Sequence, residues 1–431
     1  MDEATPHPLQ ADLLLTGISE LVTPTGPGPK HGVAMSALTH IPDAAIAITH
    51  GCFTWIGKQS DWRGQSTRTL DLGHRAVVPG LIDPHTHAVW AGDRLADFEL
   101  RTSGHTYEQI LAAGGGIRST IRATASASHD ELIALAQPRI AVLVASGATS
   151  IEVKSGYGFT PAAELRQLKA IQALASTTPA RILPTLLIHI PPSNPTERAN
   201  YIAQIKEELI PEASSRGLAY AVDIFVEKEA FHPAEAQSIL IAALTHGLSI
   251  KMHAEQFHAI GGLELALRLH ALSVDHLEAC TPQQHALFAG SNTIATILPG
   301  VSLHLGIPCA PGRSLIDAGA AVAVGTDLNP GSSPLFSTSA ALALSVRLNG
   351  LTAAEALTAG TANAAAALGL TDAGRIEPGL PADLLVLHSP DWRDLLYTLG
   401  ANPIREVWIA GKKTAGKEIA VNTSTSWEPQ A

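Results

Sequence analysis

The sequence predicts a (β/α)8 TIM-type barrel joined to a small β-sandwich that is built from both chain ends. Three observations support this fold class. Eight short apolar strands recur between residues 76 and 327, helical segments separate most of them, and alternating strands broken by glycine and proline occupy the two ends. Apolar strands that alternate with helices are typical of a parallel sheet covered on both faces. Eight such units in about 250 residues favour a closed barrel.

The elements follow in a regular order along the chain. The predicted barrel strands are residues 76–83, 148–156, 181–190, 219–227, 248–255, 272–278, 292–300 and 320–327. Helical spacing of apolar residues marks the intervening segments 130–147, 160–176 and 232–247. We therefore predict three parts: residues 1–75 as the N-terminal part of the sandwich, 76–373 as the barrel domain, and 374–431 as the C-terminal part of the sandwich followed by a tail.

Composition and charge restrict the possible functions. Apolar residues make up 46% of the 431 residues and charged residues only 16%, so the chain can bury a large core. The net charge of −11 and the lack of a basic tract argue against nucleic acid or an anionic membrane surface as a partner. No apolar run reaches the roughly 18–20 residues that a membrane span requires.

Two further features bear on the compartment. The chain start carries acidic residues where a secretory signal has positive charge. The three cysteines, Cys52, Cys280 and Cys309, are odd in number and widely spaced, which argues against a disulfide framework and favours a reducing environment. We therefore expect a soluble cytoplasmic protein.

Chemically active side chains follow the ends of the predicted strands. In this type of barrel the C-terminal ends of all strands meet at one mouth, so these side chains are expected to face one another. They are His85 and His87 after strand 1, Lys154 and Tyr157 after strand 2, His189 after strand 3, His253, Glu255 and Gln256 after strand 5, His276 after strand 6, and Asp327 and Asn329 after strand 8.

The pair His85 and His87 indicates a metal site. Residues two apart in an extended segment point to the same side, so both imidazoles can bind one cation. A third imidazole and a carboxylate complete a site with room for water, whose pKa the metal lowers. Each of these features has an ordinary structural explanation when it is taken singly. A His-x-His pair can be a surface or core detail, His253 is one of 19 histidines, and Asp327 could cap a loop or a helix. Their joint occurrence at the ends of separate strands favours a metal site over these separate explanations.

This pattern resembles the amidohydrolase superfamily. The resembling stretches are PGLIDPHTHAVWAGDR (79–94), GGGIRSTIRAT (114–124), EVKSGYGF (152–159), HIPP (189–192), KMHAEQ (251–256), SVDHLE (273–278), ATILPG (295–300) and VGTDLNPGSSP (324–334). They span essentially the whole barrel, and EVKSGYG and TDLNPGSSP are much more specific than the His-x-His pair. Within the superfamily, they most resemble the branch that performs the third step of histidine degradation.

The resemblance implies an activity, a cofactor and a set of site residues. The implied reaction is hydrolysis of the cyclic amide of 4-imidazolone-5-propanoate to N-formimino-L-glutamate, with a metal-activated water as the nucleophile. One divalent metal per chain, zinc or iron, and a homodimer are also implied. The implied metal ligands are His85, His87, His253 and Asp327. The implied substrate contacts are Arg94, Tyr157, His189, Gln256, Asn329, Gly331 and Ser332, with His276 in a catalytic role.

One position departs from the pattern of some relatives. Gln256 lies three residues after the metal histidine, where those relatives carry glutamate. Because glutamine cannot act as a general base, we expect proton transfer from His276, Asp327 or Glu255.

Two of the implied roles have structural alternatives. Arg94 is the expected fork for the propanoate, since a guanidinium binds a carboxylate through two hydrogen bonds, but it could instead pair with Asp97 or Glu99. The glycines at 114–116 form either a simple turn or a mobile loop over the barrel mouth.

Three other functions stay open from the sequence. A carbamylated Lys154 could bridge two metals in a binuclear cyclic amidase. A purine or pyrimidine deaminase would share the metal ligands but would have no use for Arg94. A barrel homologue without catalysis would act as a binding or assembly protein, which the intact ligand set disfavours.

Overall fold

The computed structural model of the chain describes residues 9–105, 109–110 and 114–414. The predictions for the chain start before Leu9 and for the tail after Thr414 lie outside these residues. The predicted fold class is confirmed: the described residues form a nearly closed barrel of parallel strands and a separate sheet built from both chain ends. All three cysteines are free thiols. Among the described helices, none has both the length and the apolar character needed to cross a bilayer.

The barrel has eight strand positions, all parallel. In chain order its strands are β5 (Leu81–Asp83), β6 (Ala148–Lys154), β7 (Arg181–Ile188), β8 (Ala221–Val226), β9 (Ser249–Ile250), β10 (Met252–Ala254), β11 (Ser273–His276), β12 (Ile294–Ile297) and β13 (Val322–Val324). β9 and β10 together occupy the fifth position, since the pairing is interrupted at Lys251. Each strand lies within a segment that the sequence predicts as a barrel strand.

Hydrogen bonds between the first and last strand positions close the barrel at its mouth. The amide of Asp327 donates to the carbonyl of His85 at 3.0 Å, and the amide of His87 donates to the carbonyl of Leu328 at 2.9 Å. Deeper in the barrel, the buried Asp83 carboxylate accepts from the amide and the hydroxyl of Thr326 at 3.1 and 2.7 Å. Three of the four residues in the two bonds at the mouth, His85, His87 and Asp327, are therefore predicted metal ligands themselves.

Helices follow most of the strands and pack against the sheet. They are α1 (Leu95–Thr102), α2 (Ile117–Ser126), α3 (His129–Ala145), α4 (Pro161–Ala175), α5 (Pro195–Gln204), α6 (Ile210–Ser215), α7 (Pro233–Thr245), α8 (Gly262–Arg268), α9 (Pro282–His285), α10 (Pro299–Leu305), α11 (Gly312–Asp317), α12 (Thr338–Leu348), α13 (Ala353–Ala359), α14 (Ala362–Ala367) and α15 (Asp394–Tyr397). The three helices predicted from spacing are confirmed as α3, α4 and α7. Their starts have a local cause, because Ser128 caps α3 by accepting from the Glu131 amide and proline occupies the first turn of α4 and α7.

The second sheet has seven strands in the order β16-β15-β14-β4-β1-β2-β3. They are β1 (Gln10–Pro24), β2 (Leu38–Thr49), β3 (Cys52–Lys58), β4 (Gln65–Pro79), β14 (Leu384–Leu387), β15 (Ile404–Ile409) and β16 (Lys412–Lys413). β14 from the chain end pairs with β4 from the chain start, which joins the two halves. Phe53 and Trp408 lie in the core of this sheet.

The chain passes from one sheet to the other at Pro79 and Gly80. Residues 76–79, which the sequence suggested as the start of the first barrel strand, are the end of β4 and pair with β14 and β1. Gly80 is needed at the crossing, because a Cβ there would lie 2.4 Å from the Thr149 hydroxyl of β6. The apolar run looks continuous in the sequence because both halves are buried, although in different sheets.

Candidate metal and active site

The four predicted metal ligands converge at the barrel mouth. The Nε2 atoms of His85 and His87 lie 3.3 Å apart, and Oδ1 of Asp327 lies 3.2 Å from the first and 3.1 Å from the second. One ring nitrogen of His253 lies within 4.8 Å of a ring nitrogen of each of the other two histidines. All four side chains are buried, so the distant strands β5, β10 and β13 contribute to one compact cluster.

The donor atoms of this cluster fit a divalent cation. Nε2 of His253 and Oδ1 of Asp327 are buried and have no hydrogen-bond partner among the described residues. Burial lowers the pKa of His87 and of His253, which keeps these imidazoles neutral and their lone pairs free. Buried polar atoms without partners are rare, and a shared ion satisfies several of them at once. Three imidazoles and one carboxylate are a ligand set of the kind that transition metals prefer.

Two aspartates that the sequence analysis missed contact the predicted metal-binding histidines on the side away from the cluster. Asp275 of β11 lies 2.6 Å from Nδ1 of His85, and Asp223 of β8 lies 2.9 Å from Nδ1 of His253. A carboxylate on the far nitrogen fixes the tautomer and the orientation of a coordinating imidazole. The signal that could have identified them is an aspartate inside an otherwise apolar, fully buried strand.

Lys154 lies beneath this layer and is not available as a bridging ligand. Its Nζ lies 2.6 Å from a carboxylate oxygen of Glu152 and 2.6 Å from one of Asp223. Although burial acts in the opposite direction, Asp223 and Glu152 raise the pKa of Lys154 above its ordinary value. Carbamylation requires a neutral amine, so this geometry disfavours the binuclear alternative. Lys251 joins the same network through Glu152, at 2.9 Å.

The loop after β13 folds back onto Asp327. The side-chain amide of Asn329 donates to Oδ2 of Asp327 at 3.0 Å and to the Ser332 hydroxyl at 2.8 Å. Its carbonyl oxygen accepts from the backbone amides of Gly331 and Ser332, both at 2.8 Å. This arrangement restrains Oδ2 and leaves Oδ1 directed at the histidines. Asn329, Gly331 and Ser332, all predicted substrate contacts, thus form one turn beside the metal cluster.

Aromatic side chains form one wall next to the cluster. The ring of Tyr157 lies 6.0 Å from that of His87 and 5.7 Å from that of His189. Burial raises the pKa of Tyr157, so its hydroxyl stays a donor, and burial together with His87 lowers the pKa of His189 to about 3, so that imidazole stays neutral. Gln256 is also buried and lies two residues after the end of β10. His276 ends β11, with its ring 5.2 Å from that of His253.

Arg94 combines the two arrangements that the sequence left open. Its Nε pairs with Asp97, and both side chains are largely buried. Nη1 points toward the loop after β13, since a Cβ built on Gly331 would lie 3.0 Å from it. Nη1 also lies 3.4 Å from the Thr120 hydroxyl. Asp97 therefore holds the guanidinium from one side, while the Nη edge faces the barrel mouth.

The glycine-rich turn supports the same aspartate. The amide of Gly116 donates to Oδ2 of Asp97 at 2.9 Å, and a Cβ on Gly115 would lie 2.2 Å from Oδ1. Gly114 and Gly116 have φ values of 84° and 73°, which side chains rarely allow. In this structure the turn at 114–116 packs against Asp97. The residues 111–113 before it lie outside the described part of the chain.

Glu255 points away from the cluster. Its carboxylate accepts from the amides of Ile260 at 3.1 Å and Leu263 at 3.0 Å, where α8 begins. These bonds satisfy free amides at a helix start, which is a structural task. We therefore do not assign the proton-transfer role predicted for Glu255 to this side chain.

The barrel and the buried His₃Asp cluster at its mouth are the features of an amidohydrolase. The model of the amidohydrolase family matches residues 76–414. An imidazolonepropionase of Deinococcus deserti is 60% identical over 93% of this chain and 99% of its own length. One of Deinococcus radiodurans is 58% identical, with the same coverage, and one of Chloroflexus aggregans is 42% identical over 94% of this chain. The chain therefore belongs to the imidazolonepropionase family of amidohydrolases.

Solved structures support the fold. An adenosine deaminase from Xanthomonas campestris with bound zinc superposes with a TM-score of 0.69 at 19% identity and covers 94% of this chain and 93% of its own. Guanine deaminase from E. coli gives a TM-score of 0.68 at 17% identity and covers 94% of this chain and 99% of its own. At such low identity the likeness concerns the architecture alone.

Proposed function

We propose that this enzyme hydrolyses the cyclic C–N amide bond of 4-imidazolone-5-propanoate and forms N-formimino-L-glutamate, in the third step of histidine degradation. The observation that carries the proposal is that one barrel mouth combines a buried His₃Asp cluster with an inward-facing guanidinium edge of Arg94. A cyclic amide with a carboxylate tail needs both features. The relatives at 58–60% identity bear the name of this activity.

The proposed cofactor is one divalent ion per chain, held by His85, His87, His253 and Asp327. The donor set suits both zinc and iron. When bound, such an ion supplies a water that is nucleophilic near neutral pH and polarises the substrate carbonyl.

Arg94 is proposed to anchor the substrate. Its Nη groups bind the propanoate through paired, charge-assisted hydrogen bonds, and Asp97 keeps the guanidinium in place from the Nε side. The proposed ring contacts are Tyr157, His189, Gln256, and the turn formed by Asn329, Gly331 and Ser332. The neutral His189 and the protonated Tyr157 add no charge to this pocket. The guanidinium edge of Arg94 thereby gives the substrate one orientation.

Proton transfer is proposed to involve Asp327 and His276. Oδ1 of Asp327 is buried, has no hydrogen-bond partner within the described part of the chain and faces the cluster, so it is placed to accept the proton of the attacking water. His276 lies at the end of a different strand, at the same mouth. It is proposed to donate a proton to the ring nitrogen that leaves when the C–N bond breaks. The water oxygen stays on the former carbonyl carbon, which becomes the new carboxylate.

Two properties beyond the reaction are also proposed. A homodimer is what the family resemblance implies, and size-exclusion chromatography with light scattering measures it directly. A cytoplasmic location agrees with the three free cysteines. Fractionation of cells that express the full chain tests the location.

The experiment that tests the function follows the ultraviolet absorbance of 4-imidazolone-5-propanoate while metal content is measured on the same sample. We expect decay with metal-replete protein and none with a variant that carries both His85→Ala and His87→Ala. Guanine and cytosine serve as comparison substrates, with ammonia release as the readout. A preparation that holds one ion per chain yet leaves the imidazolone unchanged would refute the proposal, and ammonia release would favour a deaminase.

A further inference from the structure

Glu278 is a buried carboxylate whose role the proposed mechanism does not yet explain. Only 3% of its side chain is exposed, and neither carboxylate oxygen has a hydrogen-bond partner among the described residues. Oε2 lies 3.4 Å from Nδ1 of His276, a ring nitrogen that is also buried and also lacks a partner. The two unsatisfied groups therefore face each other directly beside the metal cluster.

The backbone between the two residues is shaped to bring them together. His276 and Leu277 have φ values of 88° and 70°, a conformation that costs energy for residues with side chains. The end of β10 holds this turn, because the amide of Leu277 donates to the carbonyl of Ala254 at 3.2 Å and the amide of Ala279 donates to the carbonyl of Glu255 at 2.7 Å. The side chain of Glu278 is thus fixed on the same side as the imidazole.

Other buried carboxylates of the barrel already have donors. Asp83 accepts from Thr326, Asp275 lies against His85, and Glu255 caps α8. Burying an ionised carboxylate without a donor is strongly unfavourable. An N–H on Nδ1 of His276 would give Oε2 of Glu278 the donor it lacks, since the two atoms already lie 3.4 Å apart.

We propose that Glu278 is a positioning residue for His276. Its carboxylate accepts the Nδ1 proton, which fixes the tautomer and leaves a lone pair on Nε2, at the opposite edge of the ring. When His276 takes up the proton that Asp327 received from the water, before it passes that proton to the leaving ring nitrogen, the same carboxylate stabilises the imidazolium. A carboxylate, a histidine and a reacting group in line form an arrangement that recurs in proton-transferring sites. The inference deepens the proposed function and rests on the role assigned there to His276.

The test compares Glu278→Gln with the parent enzyme. A glutamine has the same shape but carries no charge, and its NH₂ group favours the wrong tautomer of His276. We expect kcat to fall about 100-fold or more, with KM within about threefold and metal content unchanged. Glu355→Gln is the matched control, because Glu355 is similarly buried, with 5% of its side chain exposed, but pairs with Arg313 and not with a residue of the proposed site. That variant should keep kcat.

A double-mutant cycle separates positioning from general structural damage. In a His276→Ala background, Glu278→Gln should cause no further loss of kcat, since the two residues act as a unit. An equal loss in both backgrounds, or kcat within about threefold of the parent for E278Q alone, would overturn the inference.

Two further outcomes are distinct from these. Lack of turnover by the metal-replete parent would refute the proposed function itself, and full activity of His276→Ala would remove the role on which Glu278 depends. If E278Q is recovered poorly, Glu278→Asp keeps the charge at this site. The aspartate variant should retain at least about tenfold more kcat than any recovered E278Q, and equal kcat values would overturn the inference.

Discussion

Asp275→Asn should weaken metal binding about 10- to 100-fold without unfolding the protein. Asp275 does not belong to the metal cluster, but its carboxylate lies 2.6 Å from Nδ1 of His85 and both side chains are fully buried. The asparagine has nearly the same volume, so no cavity results. Its carbonyl oxygen can still accept the His85 proton, which preserves the tautomer while removing the charge.

The magnitude follows from the change in hydrogen-bond strength. A hydrogen bond to a charged group contributes about 1.5–3 kcal/mol, and a neutral one about 0.5–1.5 kcal/mol. The difference of about 1–1.5 kcal/mol corresponds to roughly tenfold in affinity, and the lost charge beside His85 adds to it. Lys154 and Lys251, each 3.7 Å from Asp275, keep Glu152 and Asp223 as partners, so the buried network stays compensated.

The assay is a competition for zinc against a chelator of known affinity, with bound metal measured after separation. Asp372→Asn is the control, because it makes the same chemical change at an ion pair with Arg181 in which Asp372 is half-exposed. That variant should bind metal like the parent. If D275N stays folded and its Kd for zinc lies within twofold of the parent value, the orienting role of Asp275 is wrong.

Three other substitutions test the assignments around the mouth. Arg94→Met should raise KM about 100-fold with a smaller change in kcat, since it removes the proposed carboxylate anchor; an unchanged KM would contradict that role. Gly331→Ala should raise KM severalfold, because the new Cβ would lie 3.0 Å from Nη1 of Arg94. An unchanged KM would show that the loop moves to accommodate the methyl group. Glu255→Gln should lower the free energy of unfolding by about 1–2 kcal/mol, since one amide at the start of α8 loses its acceptor, and denaturant unfolding measures this. A large loss of kcat at unchanged stability would instead return Glu255 to the chemistry.

Local patterns in the sequence were sufficient for the fold class and for the prediction that the four proposed metal ligands lie together. His85 and His87 are two apart in an extended segment, and His253 and Asp327 each come just after an apolar run. Because parallel strands end at the same edge of a barrel, the position of a residue within its own segment predicts where it lies. The structure brings these four residues into one cluster.

The tertiary structure alone decided the partners of the charged groups. His85 and Asp275 are 190 residues apart, and their contact depends on the register of β5 and β11 across the barrel. The same holds for Lys154, which the sequence left open as a metal ligand and which the structure pairs with Asp223.

The surroundings of two further residues were also decided by the tertiary structure. Glu255 follows a strand end like the ligands, but a positive φ of 57° turns it toward the amides of α8. Glu278 is unremarkable in the sequence, and only the turn after β11 brings it to face His276. Periodicity determines the strand and the face on which a residue lies. The pairing of buried charges depends on atoms contributed by distant segments, which a local pattern does not specify.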